Sequence, residues 1–328
     1  MEIVKQALEQ IVQRYGNALE AVILIGSFAR GEEIIRKKKD GSQVIVSDLE
    51  FLAVVKGGVI PLKIQAPSIE GIDVTIGQAT KDQLRKLRPT IFAVDLKKFG
   101  KVLWGRLNIL DYVPDYTETA IDPVDAFILL NNRIVEQLKL RLKIEAERPF
   151  EYYLYDKGYI QIVNSILAFK RKYKCLYPEK YKAFTELNDP QVVYLSKQVK
   201  EAFDNCRKGR PEKIMQSGNV DQWSRLRESM KRVWHWEAKE LLNNPQLTFK
   251  QAVNDFPKIV SKPERLKGWA KLLKQKKLSL LGLGTLKNIM YTSPQFLIYQ
   301  DAVSLYFVDG FNKEKVERVV SKWEKIVK

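Results

Sequence analysis

The chain has 328 residues, 45% hydrophobic and 29% charged, with 2 cysteines, 1 histidine and a formal net charge of +17. This is the make-up of a globular protein long enough for two domains, and it excludes a disordered chain, a disulfide framework and a cysteine- or histidine-rich metal cluster. No apolar run reaches the roughly 18–20 residues of a transmembrane helix, so no membrane partner is expected, and so few cysteines suit a reducing, cytoplasmic compartment.

The N-terminal MEIVKQALEQIVQRYG sets Ile3, Val4, Ala7, Leu8, Ile11, Val12 and Tyr15 on one stripe, which predicts a helix over 2–15 rather than a signal peptide. AVILI at 21–25 reads as a strand. Gly26 and Ser27 turn the chain into a short helix, and RKKKDGSQ at 36–43 is a charged loop or hairpin tip. VIVSDLEFLAVV at 44–55 and IDVTIG at 72–77 are further strands, with a helix near 80–88 between the second of these and TIFAVDLKKFGKVLWG, which closes the domain with a helix or strand end and a short strand.

From there the pattern becomes helical, over 124–143, 151–173, 191–204, 221–242, 264–278 and 312–327. Proline and glycine signals mark loops at 209–211 and 243–263, and DYVPDYTETAID at 111–122 is the expected linker. The reading is therefore an α/β domain at 1–118 and an all-α domain at 119–328, with two sub-bundles split near 205–220. Charge divides along the same line. Residues 1–120 carry 17 Lys and Arg against 15 Asp and Glu, and residues 121–328 carry 39 against 24. The basic excess suits a polyanionic partner such as RNA or nucleotide phosphates, and equally a solvated lysine-rich surface.

The residues that carry chemistry are in the first part. Side chains alternate along a strand, so Asp48 and Glu50 share a face inside an apolar run. Two neighbouring carboxylates there repel and lose hydration, a cost that shared hard cations such as Mg²⁺ relieve. Asp73, between Ile72 and Val74, offers a third acid, enough to hold two metals about 3.5–4 Å apart as in-line phosphoryl transfer requires. Gly26 lets the backbone approach a phosphate, and a helix starting at Ser27 would aim N–H groups at it. The Ser27 hydroxyl is a donor or a helix N-cap; Arg30 is a phosphate contact or an ion-pair partner of Glu32 or Glu33.

Together GSFARGE, SDLEFLAV and IDVTI resemble the polymerase-β-type nucleotidyltransferase superfamily, most closely its minimal and antibiotic-modifying members, over residues 20–105. The resemblance implies a mixed sheet and transfer of an NMP from an NTP, ATP first among candidates, to a hydroxyl with release of pyrophosphate. It implies Asp48, Glu50 and Asp73 as metal-binding and catalytic residues, with two Mg²⁺ ions or Mn²⁺ in their place. Gly26, Ser27 and Arg30 would hold the triphosphate. By the same resemblance Lys170, Lys172 and Tyr173, at the end of GYIQIVNSILAFKRKY, would reach the outer phosphates and the base; read from the residues alone, the cations are equally a helix C-terminus that complements the dipole. The segment between the Gly-Ser turn and the acidic pair is longer than the family's, and IIRKKKDGSQV is read as an extended hairpin. The acceptor is a small molecule, an RNA end or a protein hydroxyl. The alternative is a non-catalytic nucleotide- or RNA-binding protein that keeps the fold.

In RLKGWAKLLKQKK at 265–277, Leu266, Trp269, Ala270 and Leu273 form the expected packing face and Lys267, Lys271 and Lys274 a basic one. His235, set in WHWE, is expected to pack in a core. No arginine precedes it at the spacing of the Arg-x4–6-His ribonuclease motif, so that activity is not expected.

Overall fold

The computed structural model describes residues 2–37, 43–45, 47–57, 68–69, 72–145, 150–151, 153–208, 214–215, 220–281, 291–307 and 311–327. Two compact units result, each discontinuous in sequence: 1–122 with 170–213, and 123–169 with 214–328. The expected division at 118/119 lies close to the first crossing at 122, but 170–213, read as part of the helical domain, belongs to the first unit.

In chain order the first unit begins with helix α1 (Glu2–Tyr15), strand β1 (Leu19–Ile25), helix α2 (Gly26–Arg30) and strands β2 (Ile35–Lys37), β3 (Gln43–Ile45), β4 (Leu49–Val55), β5 (Ser68–Ile69) and β6 (Ile72–Ala79). Helices α3 (Lys81–Arg85) and α4 (Ile91–Phe99) and strand β7 (Lys101–Gly105) follow. The sheet order is β5-β6-β4-β1-β7, with β4 and β6 parallel and the other neighbours antiparallel. One face of β4, Leu49, Phe51, Ala53 and Val55, packs on Ile3, Ala7 and Ile11 of α1. The other, Leu52 and Val54, meets Leu84 of α3 and Leu96 of α4. Burial on both faces is why the strand reads as an unbroken apolar run after Glu50. Each such fully buried side chain contributes about 1.5–3 kcal/mol.

The expected linker at 111–122 is packed into the first unit, together with the 3₁₀ turn that precedes it. Ile109, Val113 and Ile121 are buried, and the Tyr116 hydroxyl donates to the Leu87 carbonyl at 2.8 Å. The irregular spacing of these apolar residues, which follows 3₁₀ turns rather than an α-helical or strand period, hides them in the sequence.

Beyond Asp122 come α5 (Pro123–Glu145), the short strand β8 (Phe150–Glu151) and α6 (Tyr153–Phe169) of the second unit. Helix α6 stops four residues before the expected end, where Arg171 adopts a left-handed φ of 56°. The chain then supplies α7 (Tyr177–Thr185), α8 (Pro190–Val193) and α9 (Ser196–Lys208) to the first unit. Strand β9 (Ile214–Met215), paired with β8, returns it to the second, followed by α10 (Val220–Leu241), α11 (Phe249–Asp255), α12 (Lys262–Lys274), α13 (Pro294–Phe307) and α14 (Lys313–Ile326).

Helix α7 falls where no helix is expected, and three further helices differ from the sequence reading. Helix α11 lies inside the stretch 243–263 expected as loop; its start is a capping box in which Thr248 and Gln251 satisfy each other's backbone N–H. Helix α13 is buried through Phe296, Ile298, Tyr299, Ala302, Val303, Tyr306 and Phe307, which are spread around its circumference with only Gln295, Gln300, Asp301 and Ser304 polar, so it lacks an amphipathic signature. Helix α12 is rotated from the expected face: Trp269 and Leu272 are buried, while Leu266 and Leu273 are 46% and 58% exposed. The Trp269 indole sets this rotation by donating to the Thr292 carbonyl at 2.8 Å.

His235 packs as read, edge-on to Phe249 with Nε2 2.9 Å from the Leu247 carbonyl. Next to the fully buried Trp234 on α10, Glu237 is also fully buried and accepts from the Ser165 hydroxyl at 2.9 Å. Burial pushes its carboxyl well above the ordinary glutamate range.

Candidate functional site

Strand register brings the three acids to one edge of the central strands. Leu49 lies beside Val74 and Glu50 beside Thr75 in the parallel β4–β6 pair. Asp48 and Asp73 each directly precede the Leu49–Val74 pair, on strands roughly 4.8 Å apart. Alternation then places Glu50 and Asp73 on the sheet face opposite α1, since Leu49, Phe51, Ile72 and Val74 face it, and Asp48 directly precedes the first residue of β4. Asp48 and Glu50 are half-buried and Asp73 is exposed. Asp73 also faces the short β5, opposite Ser68.

The Gly-Ser turn meets this edge from β1. Ile25, the last residue of β1, pairs with Glu50, and Gly26 follows with φ +70°. A Cβ built on Gly26 would stand 1.9 Å from Glu50 Oε2 and 2.8 Å from its Cδ. No other residue fits: the conformation disfavours side chains and the carboxylate fills the space. Helix α2 is capped by Ile25 without a side-chain bond, so Ser27 is not its N-cap. At five residues, α2 brings a backbone turn carrying Ser27 to this place rather than a long helix dipole.

The surplus segment between turn and acids forms the β2–β3 hairpin, with Ile35 opposite Ile45; its tip lies outside the described residues. Ser47 closes the base by accepting the Ile34 N–H at 2.8 Å. The hairpin therefore leaves the turn beside Glu50.

A test of fit for hard cations gives a divided answer. The donor set is all carboxylate, on adjacent strands in register, next to a cradle that a Cβ would fill. Yet among the described residues no group of three or more His, Cys, Asp or Glu side chains stands close enough to hold a metal ion. Backbone placement suits a cation, whereas the side chains as they stand are spread.

The other candidates lie elsewhere. Arg30 is ion-paired to Glu32 at 2.9 Å and Asp95 of α4 at 2.8 Å, with 12% of its side chain exposed. Burial opposes its charge, but Asp95 and Glu32 outweigh burial and push its pKa up. Of its two sequence alternatives, the structure gives the ion pair. Lys170 pairs with Asp189 at 2.7 Å. Lys172 is exposed in a non-helical stretch. Tyr173 is 1% exposed, so it offers no open face to a base, and burial raises its hydroxyl pKa well above the ordinary value.

Sequence reasoning passed over the groups around Arg30. Lys180 of α7 is 2% exposed, with its ammonium 5.0 Å from the Tyr173 ring and 5.6 Å from the Tyr177 ring. Burial pushes its pKa down to about 8 against the pull of Asp95. Cys175 is buried too, and burial followed by the Asp95 charge pushes its thiol up to about 12, which makes it inert. Glu32 accepts the Tyr177 N–H at the start of α7, tying 170–213 to the end of α2. Only the Arg30–Glu32 spacing signalled this network in advance; Asp95 and Lys180 sit in stretches with no motif.

Compared with known proteins, the chain matches no family model and no curated protein sequence. No described helix is long and apolar enough to cross a membrane.

Proposed function

We propose that the first unit is a nucleotidyltransferase that moves a nucleoside monophosphate from an NTP to a hydroxyl acceptor. The observation that carries this reading is the fit of Gly26 against the Glu50 carboxylate: a positive-φ glycine, with no room for a side chain, touching one of three acids at the end of adjacent strands. Such a turn lets a phosphate chain approach backbone N–H groups while the acids stand across from it. The Ser27 hydroxyl adds a donor at the same place. Asp48, Glu50 and Asp73 are the residues that would hold Mg²⁺, which when bound neutralises phosphate charge and makes the acceptor hydroxyl more acidic. The protein's part is to position the phosphates at the turn and keep the acids in register; positioning and electrostatics supply most of the rate in this class of reaction.

The test is incubation with each α-³²P-labelled NTP and Mg²⁺, with and without total RNA, following where the label goes. The reading expects label on an acceptor and its loss in Asp48→Asn/Glu50→Gln. Undiminished transfer by that double variant would sink the assignment. A second reading, nucleotide or RNA binding without turnover, is favoured by the spread of the acids noted above. It expects saturable nucleotide or RNA binding with no transfer under any of these conditions.

A further inference from the structure

The near-neutral charge of residues 1–120 conceals a polarity. Residues 81–106 alone carry eight Lys or Arg against two Asp, and the remainder of 1–120 carries nine against thirteen. Part of this excess gathers on one aromatic ring. The Arg85 guanidinium stacks 4.6 Å from the centre of Tyr112, and Arg106 and Lys81 lie 6.0 Å from it. Arg106 also donates to the Tyr112 hydroxyl at 3.1 Å. Glu20 and Asp82 offset Lys81 and Arg85, each at 3.2 Å. The Arg85 side chain remains 56% exposed, and Lys86, Arg88 and Lys101 are exposed nearby in sequence.

Apolar and aromatic surface adjoins the cations. Trp104 is 37% exposed and Leu107 81% exposed, on either side of Arg106. Trp104 is the penultimate residue of the edge strand β7, where it pairs with Val22. The acid edge is at the other end of β1, where Ile25 meets Glu50. The two places are about 10 Å apart along β1 at roughly 3.3 Å per residue.

We propose that the surface around Tyr112 binds single-stranded nucleic acid. Cations held over a ring supply phosphate contacts, while the Arg85–Tyr112 stack and the exposed indole offer planar faces to unstacked bases. An acidic protein segment would use the charges but not the faces. The proposal is independent of NTP turnover.

Fluorescence anisotropy of the full chain with fluorescein-labelled oligo(U) and oligo(dT), over a salt series, tests it. Both oligomers share the chemistry, and a preference for one identifies the natural strand. Arg85→Ala/Arg106→Ala should weaken binding about tenfold or more and flatten the slope of log K against log salt by ~1.4, about 0.7 per lost phosphate contact. Trp104→Ala should weaken binding with the slope unchanged, because stacking releases no counterions. Lys271→Ala/Lys274→Ala on α12, exposed lysines of the second unit, should bind as the wild type. Thermal melts confirm that each variant is folded. Three results would overturn the proposal: wild-type affinity in the Arg85/Arg106 variant, loss of binding in the α12 variant instead, or displacement of the oligomers by polyglutamate at equal charge.

Discussion

Two sets of carboxylates in the first unit invite comparison. Glu32 and Asp95 have side chains 8% and 18% exposed, and both hold the Arg30 guanidinium within 3 Å. Asp48, Glu50 and Asp73 lie at a strand edge, half-buried or exposed, and among the described residues neither Asp48 nor Asp73 is in an ion pair. The first set is matched to its cation and belongs to the fold. In the second, the acids stand on adjacent strands in register, and Glu50 lies against a glycine that adopts a conformation costly to other residues.

The largest effect that should separate the sets comes from removing one carboxylate from each. Asp95→Ala leaves a buried guanidinium short of a partner and should cost about 3–5 kcal/mol, read as a lowered urea midpoint. Asp48→Asn should stay within about 0.5 kcal/mol of wild type, because among the described residues Asp48 is in no ion pair. Equal losses in the two proteins would erase the distinction.

Next in size is Lys180, a second buried cation that feels the charge of Asp95. Its folded pKa of about 8 lies below the ordinary lysine value of 10.5. Between these values the unfolded chain keeps a proton that the folded protein has released. Stability should therefore rise from pH 8 to pH 10.5, by up to about 3 kcal/mol at 1.36 kcal/mol per pKa unit. In Lys180→Met the rise should vanish, with the gain already present at pH 7. A wild-type profile flat across that window would show that Lys180 does not feel its burial.

Smallest in stability, and sharpest for the acid edge, is Gly26→Ala. The left-handed φ costs roughly 1–2 kcal/mol in a residue with a side chain, and the new methyl must push the Glu50 carboxylate aside. Nucleotide binding should fall more steeply than the melting temperature. A variant with unaltered binding would show that the contact between Gly26 and Glu50 has no part in it.

The acid edge was legible because its geometry is local. Alternation alone puts Asp48 and Glu50 on one face, and a Gly-Ser break after AVILI marks a turn. The site of Lys180 and Asp95 was not legible, because it depends on α7 meeting α4 across more than eighty residues of sequence. Tyr173 shows the same limit. A tyrosine after a cationic helix end looks like surface, and only the return of 170–213 to the first unit buries it. Among helices, amphipathic α1 was readable from spacing, whereas α13, with apolar residues around most of its circumference, gave no period to read. In α12 the ambiguity was one of phase: Leu266, Trp269, Ala270, Leu272 and Leu273 allow two faces, and the hydrogen bond of Trp269 to Thr292 decides between them.

The chain leaves the first unit at Asp122 and comes back at Lys170. During synthesis the sheet can form early, but Arg30, Glu32 and Asp95 meet Lys180 and the Tyr177 N–H only after the whole of α5 and α6 has been made. A fragment cut after 122 would bare the surface on which Tyr173, Cys175 and Lys180 rest, and it would be a poor vehicle for studying the acid edge in isolation.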